Sequence, residues 1–267
     1  MSVPSGCPPC RPGSAHQRED RPLPRVPDPA RRARPGGTSR PRRPDRTRGR
    51  CLVKRRGVFI SIEGGEKAGK TTQAGLLAGY LRSRGFDVVL TREPGGTPAG
   101  EAIRHILLHK QDAGLNAVSE VLLFAASRGQ LVEEVVRPAL RDGRVVVADR
   151  YVDSSLAYQA YGLGLPLQNV LAVNEWATGS LWPDLTVLLD LPNLAVTQTR
   201  PRSGPADRIE RRSRQFHERL LEGYRTLAAT YKDRYVVVDA SGPVDEVSRA
   251  VQAAVLSRVT GEEVPGR

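Results

Sequence analysis

The sequence predicts an α/β fold: a five-stranded parallel sheet with helices on both faces and a mobile lid. Three observations carry that expectation. From about residue 57 onward, short continuously apolar runs alternate with helical patterns, as strands buried on both faces do. A glycine-rich turn, Gly64 to Thr71, separates the first such run from the first helix. Arg92, Asp149-Arg150 and Ser241 stand just past the ends of other runs. With the turn they come from four strands and fall on the one rim where parallel sheets bind ligands.

In chain order, residues 57–63 read as the first strand and 72–84 as a helix. Gly85 closes that helix, because glycine adopts the left-handed C-terminal conformation without strain. Residues 87–91 form a second strand, 92–97 a turn-rich segment and 98–109 a helix. A long helical pattern covers 119–140, with Ser119 as its N-cap. The third strand, 144–148, is too apolar to be half exposed and ends in Asp149-Arg150-Tyr151. Short helices follow over 154–160 and 168–178. Residues 185–191 and 235–239 supply the fourth and fifth strands, with helical stretches near 194–200, 209–231 and 244–259.

The net charge of +12 invites a nucleic-acid reading, and its location answers that reading. Residues 1–56 hold 16 Lys and Arg against 4 Asp and Glu, whereas residues 57–267 hold 25 of each. The tail also holds 11 of the 21 prolines and all three cysteines, Cys7, Cys10 and Cys51. Without apolar periodicity it buries too little surface to offset its ordering entropy, so residues 1–56 read as a basic, disordered extension. Three roles compete for it: an arm for acidic partners, a transit peptide, or an upstream extension without function. Eleven prolines argue against the amphipathic helix of a transit peptide, and the Arg, Pro, Gly and Ala bias matches translated GC-rich sequence. The single C-x-x-C pair, Cys7 with Cys10, has no second pair, so no zinc site is expected.

Residues 57–262 fit one domain and contain no cysteine, which suits a reducing, cytoplasmic compartment. No apolar run reaches the roughly 20 residues needed to cross a bilayer, and the tail lacks the apolar core of a secretory signal. This domain, with balanced charge, is expected to bind neither membrane nor nucleic acid.

Gly64-Gly65-Glu66-Lys67-Ala68-Gly69-Lys70-Thr71 matches G-x-x-x-x-G-K-[ST], the loop of P-loop NTPases, and Thr72 begins the helix behind it. Backbone N–H groups at such a strand-to-helix turn converge on one small volume. With the helix dipole they cradle a polyphosphate, which makes ATP the expected nucleotide. Lys70 would reach the β- and γ-phosphates, and Thr71 would ligate Mg²⁺. Asp149, closing an apolar strand, is a second Mg²⁺ candidate. Arg92 and Arg150 lie on the same rim and could clamp an acceptor phosphate, since guanidinium matches phosphate bidentately. Phe124 and Arg128 are one helical turn apart on one face. From its pattern alone Phe124 reads as core. Residues 200–208, Arg-Pro-Arg-Ser-Gly-Pro-Ala-Asp-Arg, read as a lid that excludes water and completes the site. Its Arg200 or Arg202 could neutralise charge on the transferring group.

Five ordered segments resemble the motifs of thymidylate kinases. They are residues 59–72, Thr91-Arg92-Glu93-Pro94-Gly95-Gly96-Thr97, Phe124-Ala125-Ala126-Ser127-Arg128, Asp149-Arg150-Tyr151 and Asp207-Arg208-Ile209-Glu210. The resemblance covers about residues 57–260 and implies transfer of the γ-phosphoryl group of ATP to dTMP by a homodimer, with the helix region 118–136 as an interface. It implies that Arg92 and Arg150 hold the dTMP phosphate and that Glu66 contacts the deoxyribose 3′-OH. It also implies that Phe124 stacks on thymine while Arg128 binds O4, and that Ser155 and Tyr158 lie near base and sugar, with Gln159 a weaker candidate. Tyr158 would disfavour a ribose 2′-OH. Asp239-Ala240-Ser241-Gly242 resembles the adenine-side loop.

The sequence departs from a simple family pattern at one point. Some members carry an arginine in the phosphate loop and others supply it from the lid; this chain has Lys67 together with lid arginines. Which cation meets the transferring group stays open. His105 and His109 are spaced i, i+4 but lack a third ligand. A switch or motor NTPase would need no second phosphate clamp, and the Asn-Lys-x-Asp base motif of GTP switches is absent. A kinase for another nucleoside or nucleotide, such as dCMP or thymidine, is the alternative within the class.

Overall fold

The five apolar runs become strands β1 (Val58–Gly64), β2 (Val88–Arg92), β3 (Val145–Asp149), β4 (Leu185–Asp190) and β5 (Tyr235–Asp239) of one parallel sheet. The computed structural model describes residues 56–109, 114–192, 194 and 207–260. Most of the basic tail, the expected 194–200 helix beyond Leu194, and Arg200 and Arg202 lie outside them. The strand order is β2-β3-β1-β4-β5. β1 is central, pairing Val58 with Val145 on one side and Ile60 with Leu185 on the other. The chain leaves β1 toward β2 and β3 and later returns to the other side for β4 and β5. The order therefore reverses at β1, and a crevice opens at the carboxyl ends of β1 and β3.

Alternation along β1 divides the core in two. Ile60 and Ile62 join Val145, Val147 and Val187 beneath helices α1 (Lys70–Ser83) and α8 (Val244–Thr260). Phe59 faces the other way, into a larger cluster with Val146, Leu131, Leu220 and Leu227. The same period turns Ser61 and Glu63 to the Phe59 face. Both are fully buried, so that face carries a polar stripe among apolar neighbours.

Helix α2 (Pro98–Leu108) starts where expected, with Thr97 Oγ1 accepting from the Gly100 amide at 3.0 Å. The long pattern beyond it behaves differently. Asn116, not Ser119, is the N-cap, its side chain accepting from the Ser119 amide at 2.8 Å. The helix runs as α3 (Ala117–Leu131), widens into a π segment at Val132–Val136 and resumes as α4 (Arg137–Arg141). Pro138, which has no N–H to donate, sits at the start of that last piece, directly after the π segment. The segment after β3 likewise splits into α5 (Val152–Ser155) and a π segment, Leu156–Gly162. Helix α6 (Leu167–Thr178) follows, and α7 (Arg214–Thr230) begins later than residue 209, because Asp207 Oδ1 first closes a turn on the Ile209 and Glu210 amides, both at 2.8 Å. Among the described residues no helix is long and apolar enough to cross a membrane.

Candidate active site

A cleft of about 910 Å³ lies at the carboxyl ends of the strands. One side is the turn between β1 and α1. Gly64 has φ 145, and a Cβ there would sit 2.5 Å from the Leu189 carbonyl oxygen, so only glycine fits. Lys67 and Gly69 also have positive φ, which curls the loop around the start of α1. Lys70 is buried and donates from Nζ to the Gly65 carbonyl at 2.6 Å. Burial, then the Arg150 charge, lowers its pKa to about 8. Thr71 Oγ1 donates to Asp149 Oδ2 at 2.5 Å, which brings the two Mg²⁺ candidates together. Glu66, Lys67, Ala68, Gly69 and Thr72 line the cleft beside them, and Ala240, Ser241 and Gly242 close its far end. The Ser241 amide is held by Asp239 Oδ1 at 2.8 Å.

The opposite wall is built from side chains. Arg150, at φ 74, directs Nη2 to Glu66 Oε1 at 3.1 Å and Nη1 to Ser154 Oγ at 3.3 Å, and its guanidinium lies 4.9 Å from the Tyr158 ring centre. The Tyr158 hydroxyl also donates to Glu66 Oε1. Burial works to raise the Glu66 pKa, but Arg150 and Lys70 prevail and hold it down at about 2. Arg92 lines the cleft with an exposed side chain, 3.1 Å from Glu101 at the start of α2. Phe124, Ser155, Tyr158 and Gln159 complete the wall.

Arg128 is placed differently from the residue one turn before it. It is 1% exposed, and the cleft wall in front of it is Ser155. Its Nε donates to Glu93 Oε2 at 2.6 Å, Nη1 to Ser155 Oγ at 3.0 Å and to Asn174 Oδ1, and Nη2 to the Tyr151 carbonyl at 3.1 Å. Four of its five N–H groups are thereby engaged. Burial pushes the Glu93 carboxyl up to about 7 against the pull of Arg128.

The family model described as thymidylate kinase matches residues 62–251. The chain belongs to the thymidylate kinase family. A thymidylate kinase of Geobacillus thermodenitrificans is 45% identical over 209 residues, which cover 78% of this chain and 93% of the relative. One from Symbiobacterium thermophilum is 48% identical over 200 residues, 74% of this chain and 92% of the relative. The crystal structure of thymidylate kinase from Ehrlichia chaffeensis matches with a TM-score of 0.62 at 30% identity, over 75% of this chain and 98% of that one. The parallel sheet and its loop are the P-loop NTPase fold that membership implies.

Within this thymidylate kinase cleft the described candidates converge, Arg128 standing behind the wall and Arg92 at its edge. Sequence reasoning missed the carboxylates that hold the wall. Glu120, 1% exposed, accepts from Gln159 Nε2 at 3.0 Å, Arg208 Nη2 at 2.6 Å and Arg212 Nη2 at 2.5 Å. It also missed Arg104, which lines the cleft and donates to the Pro94 carbonyl at 2.8 Å. A charged residue inside an apolar helical stripe was the only available signal, and Glu120 carries it.

Proposed function

We propose that the protein transfers the γ-phosphoryl group of ATP to dTMP, giving ADP and dTDP, in the supply of DNA precursors. The observation that carries this reading is one cleft lined together by an amide-bearing phosphate loop, by the Arg150 guanidinium that bonds to the loop's Glu66, and by the hydrogen-bonded pair Thr71 and Asp149. Family membership favours dTMP over the other acceptors. An oxygen of the acceptor phosphate forms a bond to the γ-phosphorus as the bond from that phosphorus to the β,γ-bridging oxygen breaks. Such a reaction needs positioning and charge neutralisation more than covalent help. The loop amides and Lys70 hold the donor phosphates. Arg150 and Arg92 hold the acceptor phosphate, and Glu66, fixed by Arg150 and Tyr158, meets the sugar 3′-OH. Phe124 stacks on the base, with Ser155 and Gln159 at its polar edge and Arg128 behind them holding the Ser155 hydroxyl; Tyr158 stands by the sugar.

The hydroxyl of Thr71 and the carboxylate of Asp149 are hard oxygen donors 2.5 Å apart, the chemistry Mg²⁺ selects. Bound there, Mg²⁺ would neutralise charge on the donor phosphates. Residues 57–262 form the kinase domain in this reading. Arg200 and Arg202, outside the described residues, are its proposed lid cations beside Lys67. The cysteine-free domain suits the cytoplasm. The packed helices α3 and α6 expose Val118, Leu122 and, at 87%, Trp176, and we take this surface as the face of a homodimer. A single monomeric species in sedimentation would remove that part of the reading.

A coupled ADP-release assay across dTMP, dUMP, dCMP, AMP and GMP tests the central claim. A response largest for dTMP is expected; an equal or absent response to dTMP would refute it.

A further inference from the structure

Glu63 stands one residue before the phosphate loop, yet the transfer described above makes no use of it. Its side chain does not line the cleft; β1 turns it to the face that α5 and α7 cover. A carboxylate without water needs donors, and three serve it. The Tyr151 amide donates to Oε1 at 2.7 Å, Ser154 Oγ to Oε2 at 2.7 Å and the Tyr224 hydroxyl to Oε2 at 2.9 Å. Burial, with Asp153 adding to it, pushes the Glu63 carboxyl up to about 7.

Two of those donors, the Tyr151 amide and Ser154 Oγ, follow Arg150 in the chain by one and four residues. The Arg150 φ of 74 lies in the left-handed region, where a long side chain persists only if its surroundings dictate it. Glu63 fixes the backbone immediately after Arg150 through the Tyr151 amide. It also reaches the guanidinium through one intermediary, since Ser154 Oγ donates to Glu63 and accepts from Arg150 Nη1 at 3.3 Å. Other groups brace the same short helix. Arg128 holds the Tyr151 carbonyl at 3.1 Å, and Arg234 Nη2 holds Asp153 Oδ1 at 2.7 Å. Arg150 is also held directly, at its amide by the Ile62 carbonyl at 3.0 Å and at its guanidinium by Glu66 at 3.1 Å and the Gly64 carbonyl at 3.5 Å; of the side chains that brace the helix after it, Glu63 carries both links to Arg150.

We propose that Glu63 is a positioning residue that acts through Tyr151 and Ser154 to aim Arg150 at the acceptor phosphate. The inference rests on reading Arg150 as the acceptor clamp. A carboxylate that merely stabilised the sheet would, on removal, weaken both substrates together. One that aims Arg150 weakens dTMP selectively.

The test measures KM for dTMP and for ATP separately, with thermal melts, in Glu63→Ala, Glu63→Gln, Ser154→Ala, Tyr224→Phe and Arg150→Ala. Loss of a hydrogen bond to a charged group is worth about tenfold in KM for dTMP in Glu63→Ala and Ser154→Ala. About threefold is expected in Tyr224→Phe, whose ring does not line the cleft and so cannot touch substrate. KM for ATP stays within about twofold throughout. Glu63→Gln recovers most of the loss, because its carbonyl oxygen still accepts from the Tyr151 amide and its NH₂ donates to hydroxyls that can turn. If Glu63→Ala does not fold, Ser154→Ala and Tyr224→Phe carry the test. Parallel rises in both KM values would overturn the inference. So would unchanged KM for dTMP in Ser154→Ala and Tyr224→Phe while Arg150→Ala raises it. An unchanged KM for dTMP in Arg150→Ala itself would instead remove the clamp reading, and the inference with it.

Discussion

The two walls of the cleft are built on opposite principles. The donor side consists of consecutive residues, 64–71, whose shape comes from glycines and positive φ angles and whose donors are backbone amides. The acceptor side gathers guanidinium groups from three strands and helices, and most are backed by a buried carboxylate far away in sequence. Glu93 backs Arg128, Glu120 backs Arg208 and Arg212, and Glu63 backs the turn that bears Arg150. Amides are fixed by the chain itself and need no backing. A long, flexible cation must be held if it is to be preorganised, and in a dry interior the holding group must carry the opposite charge. The donor wall therefore contributes function at little structural cost, whereas the acceptor wall ties function to folding stability.

That contrast breaks first at Lys70. Replacing it by alanine removes the one side-chain cation of the loop that is buried among the phosphate amides. We expect kcat/KM for ATP to fall about 10³-fold, roughly 4 kcal/mol of transition-state stabilisation. Burial already lowers the Lys70 pKa to about 8, a sign that the folded chain holds this charge at a cost. The melting temperature should accordingly stay level or rise. A large drop in thermal stability alongside the kinetic loss would mean the donor wall is structural after all.

Glu93→Ala probes the other side. It leaves Arg128 fully buried without its 2.6 Å partner. Breaking a buried pair by removing one member costs about 3 kcal/mol or more, so urea unfolding should show a loss of that order. An unfolding midpoint equal to that of the parent chain would dissolve the distinction between the walls.

The same contrast governs what could be read from the sequence. The five strands, their parallel arrangement and the phosphate loop were legible because each follows from contiguous patterns of period or spacing, whereas the strand order β2-β3-β1-β4-β5 was not. Arg92, Asp149, Arg150 and Ser241 were legible from their positions past strand ends. Glu63 and Glu93 were not, because their partners lie elsewhere: Ser154 is 91 residues from Glu63 and Arg128 is 35 from Glu93. Nothing in Phe124 and Arg128 as an i, i+4 pair foretold that the arginine would stand behind Ser155. The breaks at Val132–Val136 and Leu156–Gly162 escaped as well, since a π turn keeps the apolar stripe while shifting its phase by one residue.

Glu66 belongs to the donor loop in sequence but to the acceptor wall in its bonds, so it sharpens the comparison with the smallest of these effects. Its carboxyl is held at about 2 by Arg150 and Lys70 against the opposing pull of burial, compared with an ordinary value of 4.5. A carboxyl depressed in the folded state binds fewer protons than in the unfolded chain at intermediate pH. Its stabilising contribution is therefore fully present above about pH 4.5 and is lost as pH falls toward 2. The side chain is one-fifth exposed, so solvent screening trims the full linkage value to about 2 kcal/mol. Urea unfolding of the parent chain and of Glu66→Gln at several pH values between 6 and 3 should show a stability gap that narrows steadily with acidification. In an Arg150→Ala background the gap should already be small at pH 6, because the largest favourable charge has gone. A gap that ignored both pH and Arg150 would place Glu66 with the self-sufficient loop, and the acceptor wall would lose its hold on the donor side.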